Sequence, residues 1–396
     1  MRIDTRLAER LNKINPSSTL AITAKAKKLK AEGRDIVNFA AGEPDFDTPD
    51  FIKNAAIEAI KSGFTKYTPS TGTLELKKLI SGKFKRENGL DYPPNQIVVS
   101  CGAKHSIYNT IMALANRNDE FIIPSPYWVS YPEMVNLCDA KPVFMKTLPE
   151  NNFKILPQEL QKYIGVRTKA LILNSPSNPT GSVYRLDEIK EIAKICVAKK
   201  IYVISDEIYE KLIYDNLSNV SIAGINPDIY KLTITINGLS KSFSMTGWRI
   251  GYLGATPDII EAISKMQDHT TSNPASISQK AAEAALKAPD DFAKDFCQEF
   301  QKRRDYAVSR LKGIKKLSLV VPEGTFYIFC DISRTGLDSF TFSDRLLEEA
   351  SVSLIPGVVF GRDDYVRISF ATSIEQIEKG ISRIEEWINK QWDLKL

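Results

Sequence analysis

The stretch Leu232-Thr-Ile-Thr-Ile-Asn-Gly-Leu-Ser-Lys-Ser-Phe-Ser-Met-Thr-Gly-Trp-Arg-Ile-Gly-Tyr252 says more about the fold than any other part of the chain. Its β-branched residues predict a strand that ends near Gly238. The following loop carries a hydroxyl at Ser240 and an amine at Lys241, and the guanidinium of Arg249 follows eight residues later. A desolvated amine is nucleophilic at pH 7, and an arginine beside a hydroxyl suits a phosphate. Taken alone, a Ser-Lys pair is more often a surface loop.

A carboxylate follows another predicted strand, Lys200-Ile-Tyr-Val-Ile204, and this supports the functional interpretation. Asp206 lies 35 residues before Lys241, at a strand end, where open α/β sheets bind their ligands. A carboxylate there can keep a pyridine nitrogen protonated through a bond of about 1.5–3 kcal/mol. Tyr209 can donate to a phenolate oxygen of the same ring. The alternative is a helix N-cap aspartate followed by a core tyrosine.

Two further loops offer groups that fit a flat, phosphorylated pyridine ring. Asn178 lies in a loop with two prolines and a glycine, after the apolar strand Leu171-Ile-Leu-Asn174, and is a second candidate donor to the ring oxygen. Trp128 follows the strand Glu120-Phe-Ile-Ile123 and can cover one ring face. Each has a structural alternative, which is a simple turn for Asn178 and a core position for Trp128.

A helix start after the strand Val98-Val-Ser-Cys-Gly102 supplies a candidate phosphate site. Ala103 and Lys104 open an apolar helical pattern, and backbone N–H groups at such a start bind phosphate. The motif is neither a Walker loop nor GxGxxG. Together, the amine, the carboxylate and the phosphate-binding groups predict pyridoxal phosphate as the cofactor.

Composition bounds the class of protein. A chain of 396 residues that is 43% hydrophobic can bury a large core and suggests two domains. The apolar runs are only strand-sized, which argues against a membrane span, and the charged N-terminus is unlike a signal peptide. Five scattered cysteines without CxxC pairs fit a reducing cytoplasm, and two histidines poorly support a metal site or a hydrolase triad. The net charge of +5 does not indicate nucleic-acid binding.

Alternating strand and helix patterns predict an α/β fold with a mostly parallel sheet wrapped by helices. The predicted strands of this large domain, residues 46–288, are 96–100, 120–123, 142–146, 169–174, 200–205, 232–237 and 250–255. Residues 289–396 read as a smaller α+β domain with helices at 292–311 and 374–388. Its predicted strands are 317–321, 325–331, 352–355 and 365–370. Residues 1–45 are expected to join this small domain.

From about Pro16 to Ile384 the chain resembles the fold-type I, class I/II aminotransferases, and specifically their bacterial aspartate branch. The resemblance also rests on four long stretches, which are Ala41-Gly-Glu-Pro-Asp-Phe-Asp-Thr-Pro49, Lys66-Tyr-Thr-Pro69, Ser125-Pro-Tyr-Trp-Val-Ser-Tyr-Pro-Glu-Met134 and Tyr365-Val-Arg-Ile-Ser-Phe-Ala-Thr-Ser373. It implies transfer of an amino group from aspartate to 2-oxoglutarate by a pyridoxal-phosphate enzyme.

Residue roles follow from this resemblance. Lys241 would form the Schiff base with the cofactor and then move a proton as base and acid. Asp206 would pair with the pyridine nitrogen, and Tyr209 would bind the ring oxygen. The other implied cofactor contacts are Asn178 at the ring oxygen, Trp128 and Ile208 on the ring faces, and Gly102, Ala103, Lys104, Ser240 and Arg249 at the phosphate. Tyr67 would reach the phosphate of a neighbouring subunit, so that a homodimer shares its active sites. Gly238 stands where some relatives have a phosphate-binding hydroxyl.

Substrate contacts are also implied by the resemblance. Arg367 would bind the α-carboxylate in a bidentate manner, with the backbone of Gly42 closing over it and Trp128 and Asn178 nearby. Thr19 and Lys104 occupy the places that meet the side-chain carboxylate of aspartate. Both have structural alternatives, a helix cap for Thr19 and a solvated first-turn position for Lys104. Some relatives that also act on prephenate have a lysine where this chain has Asn15, so prephenate is a second activity to consider.

Other functional classes stay open at this point. The same cofactor site could serve an aminotransferase for aromatic or other amino acids, or a β-lyase or decarboxylase, which would not need Thr19 and Lys104. A non-enzymatic regulator on this fold would need a DNA-binding module, and residues 1–40 are too short to supply one.

Overall fold

The computed structural model describes residues 7–16, 18–289 and 292–392. The helices are α1 Ser18–Ala31, α2 Asp50–Lys61, α3 Leu74–Lys83, α4 Ala103–Leu114, α5 Ser130–Leu137, α6 Pro157–Tyr163, α7 Leu186–Lys199, α8 Pro227–Leu232, α9 Pro257–Asp268, α10 Ser276–Leu286, α11 Phe292–Lys312, α12 Ser339–Ala350 and α13 Ile374–Trp392. The strands are β1 Val37–Asn38, β2 Ile97–Ser100, β3 Glu120–Ser125, β4 Lys141–Lys146, β5 Thr168–Asn174, β6 Tyr202–Asp206, β7 Thr233–Gly238, β8 Gly251–Gly254, β9 Ser318–Leu319, β10 Tyr327–Asp331, β11 Val352–Ser353, β12 Ile355–Pro356 and β13 Tyr365–Ser369.

The main sheet has the strand order β2-β8-β7-β6-β5-β3-β4. Only β8 runs antiparallel to its neighbours in this sheet. The central strands of the main sheet are buried on both faces, which explains near-continuous apolar runs such as Ala170-Leu-Ile-Leu173. The predicted mostly parallel sheet is confirmed, and each of its predicted strands lies within two residues of the observed bounds.

Helices cover both faces of this sheet. On one face Ile172 and Ile204 pack against residues of α4, α5 and α9, and on the other Leu171 and Val203 pack against α6, α7 and α8. Successive strand residues point to opposite faces, so adjacent apolar residues serve two separate cores. Within the described residues, no helix is long and apolar enough to cross a membrane.

The strand ends converge at one edge of the sheet. Parallel strands β5, β6 and β7 end at Asn174, Asp206 and Gly238. Because β8 is antiparallel, its first residue, Gly251, lies at that same edge, opposite both Gly238 and Ser100. Loops from sequence-distant strands therefore start side by side.

A smaller antiparallel sheet of order β12-β13-β10-β9 forms a second layer with α11, α12 and α13. The predicted strand 352–355 is divided in two, because β11 pairs with β1 whereas β12 pairs with β13. Beyond β1, the amide of Ser369 donates to the carbonyl of Phe39 at 2.9 Å. The chain that leaves β1 is thus held beside β13 and directed toward the edge where the main strands end.

Candidate active site

A cavity of about 530 Å³ opens where the main strand ends face the small sheet and the segment after β1. Most of the predicted site residues line it, although their separation along the sequence reaches more than three hundred positions. The predicted residues on its wall are Gly42, Ala103, Lys104, Trp128, Asn178, Asp206, Ile208, Tyr209, Ser240, Lys241, Arg249 and Arg367.

Lys241 follows β7 and faces the cavity. Its ammonium donates to the carbonyl of Gly42 at 2.6 Å. Burial lowers the pKa of Lys241 to about 8, with Glu43 opposing this shift and the charges of Arg367 and Arg249 adding to it. A substantial fraction of this amine is therefore neutral and nucleophilic near neutral pH.

Asp206 ends β6 as a buried carboxylate. It accepts a hydrogen bond from the hydroxyl of Tyr131 at 2.6 Å and one from the amide of Ile208 at 3.3 Å. Burial raises the pKa of Asp206, whereas the bonds from Tyr131 and Ile208 and the charge of Lys241 hold it down. The carboxylate is thus positioned at the cavity wall by donors that favour its ionised form.

Arg367 brings a buried guanidinium from β13 to the cavity. Its side chain donates to the Oδ1 of Asn178 at 3.1 Å and to the carbonyl of Ala40 at 3.3 Å. Arg367 is only 4% exposed, and its Nε has no hydrogen-bond partner in the described structure. Asn178 is itself held in place because its backbone N–H donates to the Oδ1 of Asn174 at 2.8 Å. An unsatisfied buried donor at a cavity wall suits an anionic ligand.

The start of α4 forms a cradle at one end of the cavity. Gly102 has a φ of +91°, and a Cβ at Gly251 would collide with the backbone of Ala103, so both glycines permit this close approach. The first amides of α4, at Ala103 and Lys104, have no carbonyl within the helix to bind. Arg249 lies beside them and donates to the carbonyl of Cys101 at 3.2 Å.

Gly238, which has no side chain, is packed against the apolar side chain of Ile208. A Cβ at position 238 would lie 3.0 Å from the Cδ1 of Ile208. The side chain of Ile208 therefore occupies the space next to Gly238, and no hydroxyl reaches the cradle from this position.

Trp128 and Lys104 form another wall. The ammonium of Lys104 lies 5.0 Å from the centre of the Trp128 ring, within cation–π range. Burial, together with the charge of Arg249, lowers the pKa of Lys104. Trp128 also packs edge-on against Tyr131 at a centroid distance of 5.2 Å.

Of the predicted site residues that the structure describes, Tyr67 and Gly102 do not line the cavity. Tyr67 is 93% exposed and does not face the cavity of its own chain. Thr19 lies in α1, but its side chain is outside the described part of the structure. Gly102 contributes backbone geometry beside Arg249 rather than cavity surface.

Two tyrosines escaped the sequence analysis. Tyr131 follows Trp128 by only three residues, so its position in the sequence could have indicated that it lies near the indole. Tyr327 lines the cavity from β10, and its hydroxyl is 3.1 Å from that of Tyr209. No signal in the sequence pointed to Tyr327, which is 118 residues from Tyr209.

The donor set of the cavity fits pyridoxal phosphate. Lys241 offers an amine for the aldehyde, Asp206 an acid partner for the pyridine nitrogen, and the start of α4 with Arg249 a site for the phosphate. The buried guanidinium of Arg367 lines the same cavity, where it can bind a carboxylate. Among the described residues, no cluster of histidine, cysteine and acidic groups could hold a metal ion. The fold and site define a pyridoxal-phosphate enzyme built on a mostly parallel sheet.

Comparisons with known proteins support a pyridoxal-phosphate enzyme of this fold. A family model described as aminotransferase class I and II matches residues 34–384. The aspartate aminotransferase of Bacillus sp. (strain YM-2) is 47% identical over 387 residues, 96% of this chain and 99% of that protein. The probable aspartate/prephenate aminotransferase of Rickettsia conorii is 48% identical over 394 residues, 97% and 98% of the two chains. The crystal structure of the Rhizobium meliloti aspartate aminotransferase has a TM-score of 0.94 at 39% identity, covering 98% of this chain and 99% of that one.

The chain belongs to the class I and II aminotransferases. Enzymes of this family use pyridoxal phosphate, so the predicted fold, family and cofactor are confirmed.

The low pKa of Lys241 predicts its labelling behaviour in cofactor-free protein. An amine-reactive acylating reagent should modify Lys241 with a half-maximal rate near pH 8, because the neutral amine dominates above that pH and the inert ammonium below it. Peptide mass spectrometry after short pulses at a series of pH values measures the rate. Ordinary exposed lysines reach their half-maximal rates only at about pH 10.4, the usual pKa of the ammonium. A profile for Lys241 that coincides with theirs would contradict its desolvation.

Proposed function

We propose that the protein transfers the amino group of L-aspartate to 2-oxoglutarate, giving oxaloacetate and L-glutamate. The observation that carries this proposal is that the cations Lys104 and Arg367 line the same cavity as the amine of Lys241. Two cations suit a substrate with two carboxylates. Full-length relatives at 46–48% identity bear the name aspartate aminotransferase or aspartate/prephenate aminotransferase, which supports the same substrate.

Proton transfer at the substrate is the proposed role of Lys241. When bound, pyridoxal phosphate supplies an electron sink for the negative charge that develops at the substrate α-carbon. Lys241 would take the proton from this carbon and return a proton in the second half of the exchange, which its pKa of about 8 allows near neutral pH. Its bond to the carbonyl of Gly42 would keep the amine at the cavity wall between these steps.

The other ring contacts are proposed from donor chemistry. Asp206 would keep the pyridine nitrogen protonated, and Tyr209 and Asn178 would donate to the ring oxygen. Trp128 and Ile208 would enclose the two ring faces. Ser240, Arg249 and the amides of Ala103 and Lys104 would hold the phosphate. Gly102 would shape the turn before these amides, because its own amide donates to the carbonyl of Ser100 at 2.7 Å.

The substrate carboxylates would be separated between two groups. Arg367 would bind the α-carboxylate through its guanidinium, while Gly42, Asn178 and Trp128 line the same cavity. Lys104, with Thr19 as proposed neighbour, would meet the side-chain carboxylate.

Prephenate is a second candidate substrate. The Rickettsia conorii relative is named a probable aspartate/prephenate aminotransferase. In this chain the side chain of Asn15 is engaged elsewhere, since its Nδ2 donates to the Oε1 of Glu133 at 3.3 Å. We therefore propose aspartate as the main donor and prephenate only as an additional acceptor, to be assayed beside 2-oxoglutarate.

We propose a homodimer with shared active sites. Tyr67 is a large aromatic residue with almost its whole side chain in solvent. Four apolar side chains on α2 and at the start of α3 are also exposed, which is typical of an interaction surface. They are Phe51, Ile57, Ile60 and Leu74. A second copy of the chain placed there would bring its Tyr67 to the phosphate end of the first cavity.

We further propose a division into an N-terminal segment 1–45, a large domain 46–288 and a small domain 289–396. The pairing of β1 with β11 supports the assignment of the N-terminal segment to the small domain. We also propose a cytoplasmic location, because none of the five cysteines is in a disulfide.

The first prediction of this proposal concerns Lys104. Lys104→Met keeps an apolar stem against Trp128 but removes the charge, so kcat/KM for aspartate and glutamate should fall by about 30-fold or more. The value for alanine should change little, because alanine has no side-chain carboxylate. Steady-state assays with each amino acid measure this contrast.

Arg367→Ala serves as the matched control for the substitution of Lys104. It should reduce kcat/KM for alanine and aspartate alike, since both carry the α-carboxylate. An equal loss for the two amino acids in Lys104→Met, with cofactor bound, would remove the case for an acidic substrate while leaving the family assignment intact.

Subunit mixing tests the shared sites. Tyr67→Ala and Lys241→Ala homodimers should each be impaired, but one site of their heterodimer would be intact, so about a quarter of wild-type activity should return at equal mixing. Mixing Lys241→Ala with Arg367→Ala should restore nothing, because those two residues would belong to the same site of one chain. No recovery in the first mixture, despite subunit exchange seen by mass spectrometry, would reject shared sites.

Loss of one hydroxyl should weaken cofactor binding. Tyr131→Phe removes the bond that favours ionised Asp206, so the pKa of Asp206 rises further and its pairing with the pyridine nitrogen weakens. The Kd for pyridoxal phosphate, measured by absorbance titration, should rise about tenfold or more. Tyr92→Phe removes a buried hydroxyl bonded to Thr235, away from the cavity, and should leave the Kd unchanged. Equal affinity of wild type and Tyr131→Phe would exclude this role.

A further inference from the structure

Tyr327 connects the two layers of the molecule at the cavity. It begins β10 of the small sheet, opposite Ser369 of β13, and is 1% exposed. Its hydroxyl nevertheless reaches Tyr209, which follows β6 of the main sheet, at an oxygen–oxygen distance of 3.1 Å. One side chain of the small sheet thus contacts a residue proposed to bind the cofactor.

The ring of Tyr327 makes a second contact. The guanidinium of Arg367 lies 4.1 Å from the centre of this ring, within the range of a cation–π interaction. A buried guanidinium that binds substrate needs fixed neighbours to hold its plane in one orientation. The ring face of Tyr327 is one such neighbour for Arg367. Tyr327 therefore touches both the proposed ring-oxygen donor and the proposed carboxylate-binding group.

The direction of the bond between the two hydroxyls follows from their number of protons. Each phenol has one O–H to donate. If the O–H of Tyr209 donates its hydrogen bond to the cofactor ring, the oxygen of Tyr209 can only accept from Tyr327. Tyr327 is then the donor in the bond between the two hydroxyls. A phenol that accepts a hydrogen bond becomes a stronger donor, because bonds in a chain polarise one another.

We propose that Tyr327 is a positioning residue, whose hydroxyl turns the proton of Tyr209 toward the cofactor ring and whose ring face holds Arg367 in place for the substrate carboxylate. The inference rests on the proposed roles of Tyr209 and Arg367 and assigns them a common support.

Charged and titratable groups surround this pair. Burial raises the pKa of Tyr327, and the charge of Arg367 opposes the rise, so the phenol stays protonated and able to donate at neutral pH. The groups that face the two tyrosines come from different elements and are Tyr131 in α5, Asp206 at the end of β6, Lys241 after β7, Arg367 on β13 and Glu43 after β1. None of them replaces the missing donor if the hydroxyl of Tyr327 is removed. Tyr131 donates to Asp206, Lys241 donates to Gly42, and Arg367 donates to Asn178 and Ala40, while an ionised carboxylate has no proton to donate.

The test uses holoenzyme and the pH dependence of the visible absorbance of the bound cofactor. In Tyr327→Phe the midpoint pH of this absorbance change should rise by about half a pH unit to one pH unit. Tyr209 then becomes a weaker donor, so more negative charge stays on the ring oxygen and the chromophore holds its proton more tightly. KM for amino acids should stay within about twofold, because the phenylalanine ring still supports Arg367. Tyr327→Leu should raise KM for every amino acid by about tenfold as well.

A double-mutant cycle separates this role from a general effect on the core. Tyr209→Phe should raise the midpoint by itself, and adding Tyr327→Phe to it should produce no further shift. Tyr214→Phe removes a buried hydroxyl that bonds to the carbonyl of Thr325, away from the cavity wall, and should leave the midpoint unchanged.

Three results would overturn the inference. An unchanged midpoint in Tyr327→Phe, or a shift that persists fully in the Tyr209→Phe background, would show that Tyr327 does not act through Tyr209 while leaving the proposed function intact. An unchanged midpoint in Tyr209→Phe would instead reject the proposed role of Tyr209 and this inference with it.

Discussion

The burial of ionisable groups at one cavity, most completely of Asp206, determines how the surrounding elements must be arranged. Burying the carboxylate of Asp206 is unfavourable, and the bonds from Tyr131 and Ile208 offset part of that cost. The same desolvation lowers the pKa of Lys241 to about 8 and makes its amine reactive. A site open to water would keep Lys241 protonated and weaken every charge-assisted bond in it. Enclosure by two layers of secondary structure is therefore a chemical requirement.

Arg367 shows how this enclosure is achieved. It stands on β13 of the small sheet, yet it bonds to Asn178 from the loop after β5 and to Ala40 from the segment after β1. Three parts of the chain thus meet at one guanidinium. Tyr327 adds a fourth connection, because it lies under Arg367 and against Tyr209. Substrate recognition and cofactor contacts are built on the same interlayer junction.

Much of the fold and site could be predicted from local patterns. Strands β5, β6 and β7 could be predicted because residues buried on both faces form short apolar runs. Asp206 ends β6, and Asn178 and Lys241 lie in the loops that follow β5 and β7. The division of the predicted strand 352–355 could not be foreseen, since it depends on pairing with β1, more than three hundred residues away. Tyr327 was missed for the same reason, because its partners are distant in sequence and its own surroundings resemble any core strand.

The parallel sheet and the cofactor class could be predicted from strand periodicity and from the residues at strand ends, which are local properties. The family was implied by the resemblance of long sequence stretches. The packing of remote segments was needed to show which of these groups share a cavity, which hydroxyl supports Asp206, and that Tyr67 does not line the cavity of its own chain. The physical reason is that pKa shifts, ion pairing and hydrogen-bond direction depend on distance and burial, and both arise only when remote segments pack together.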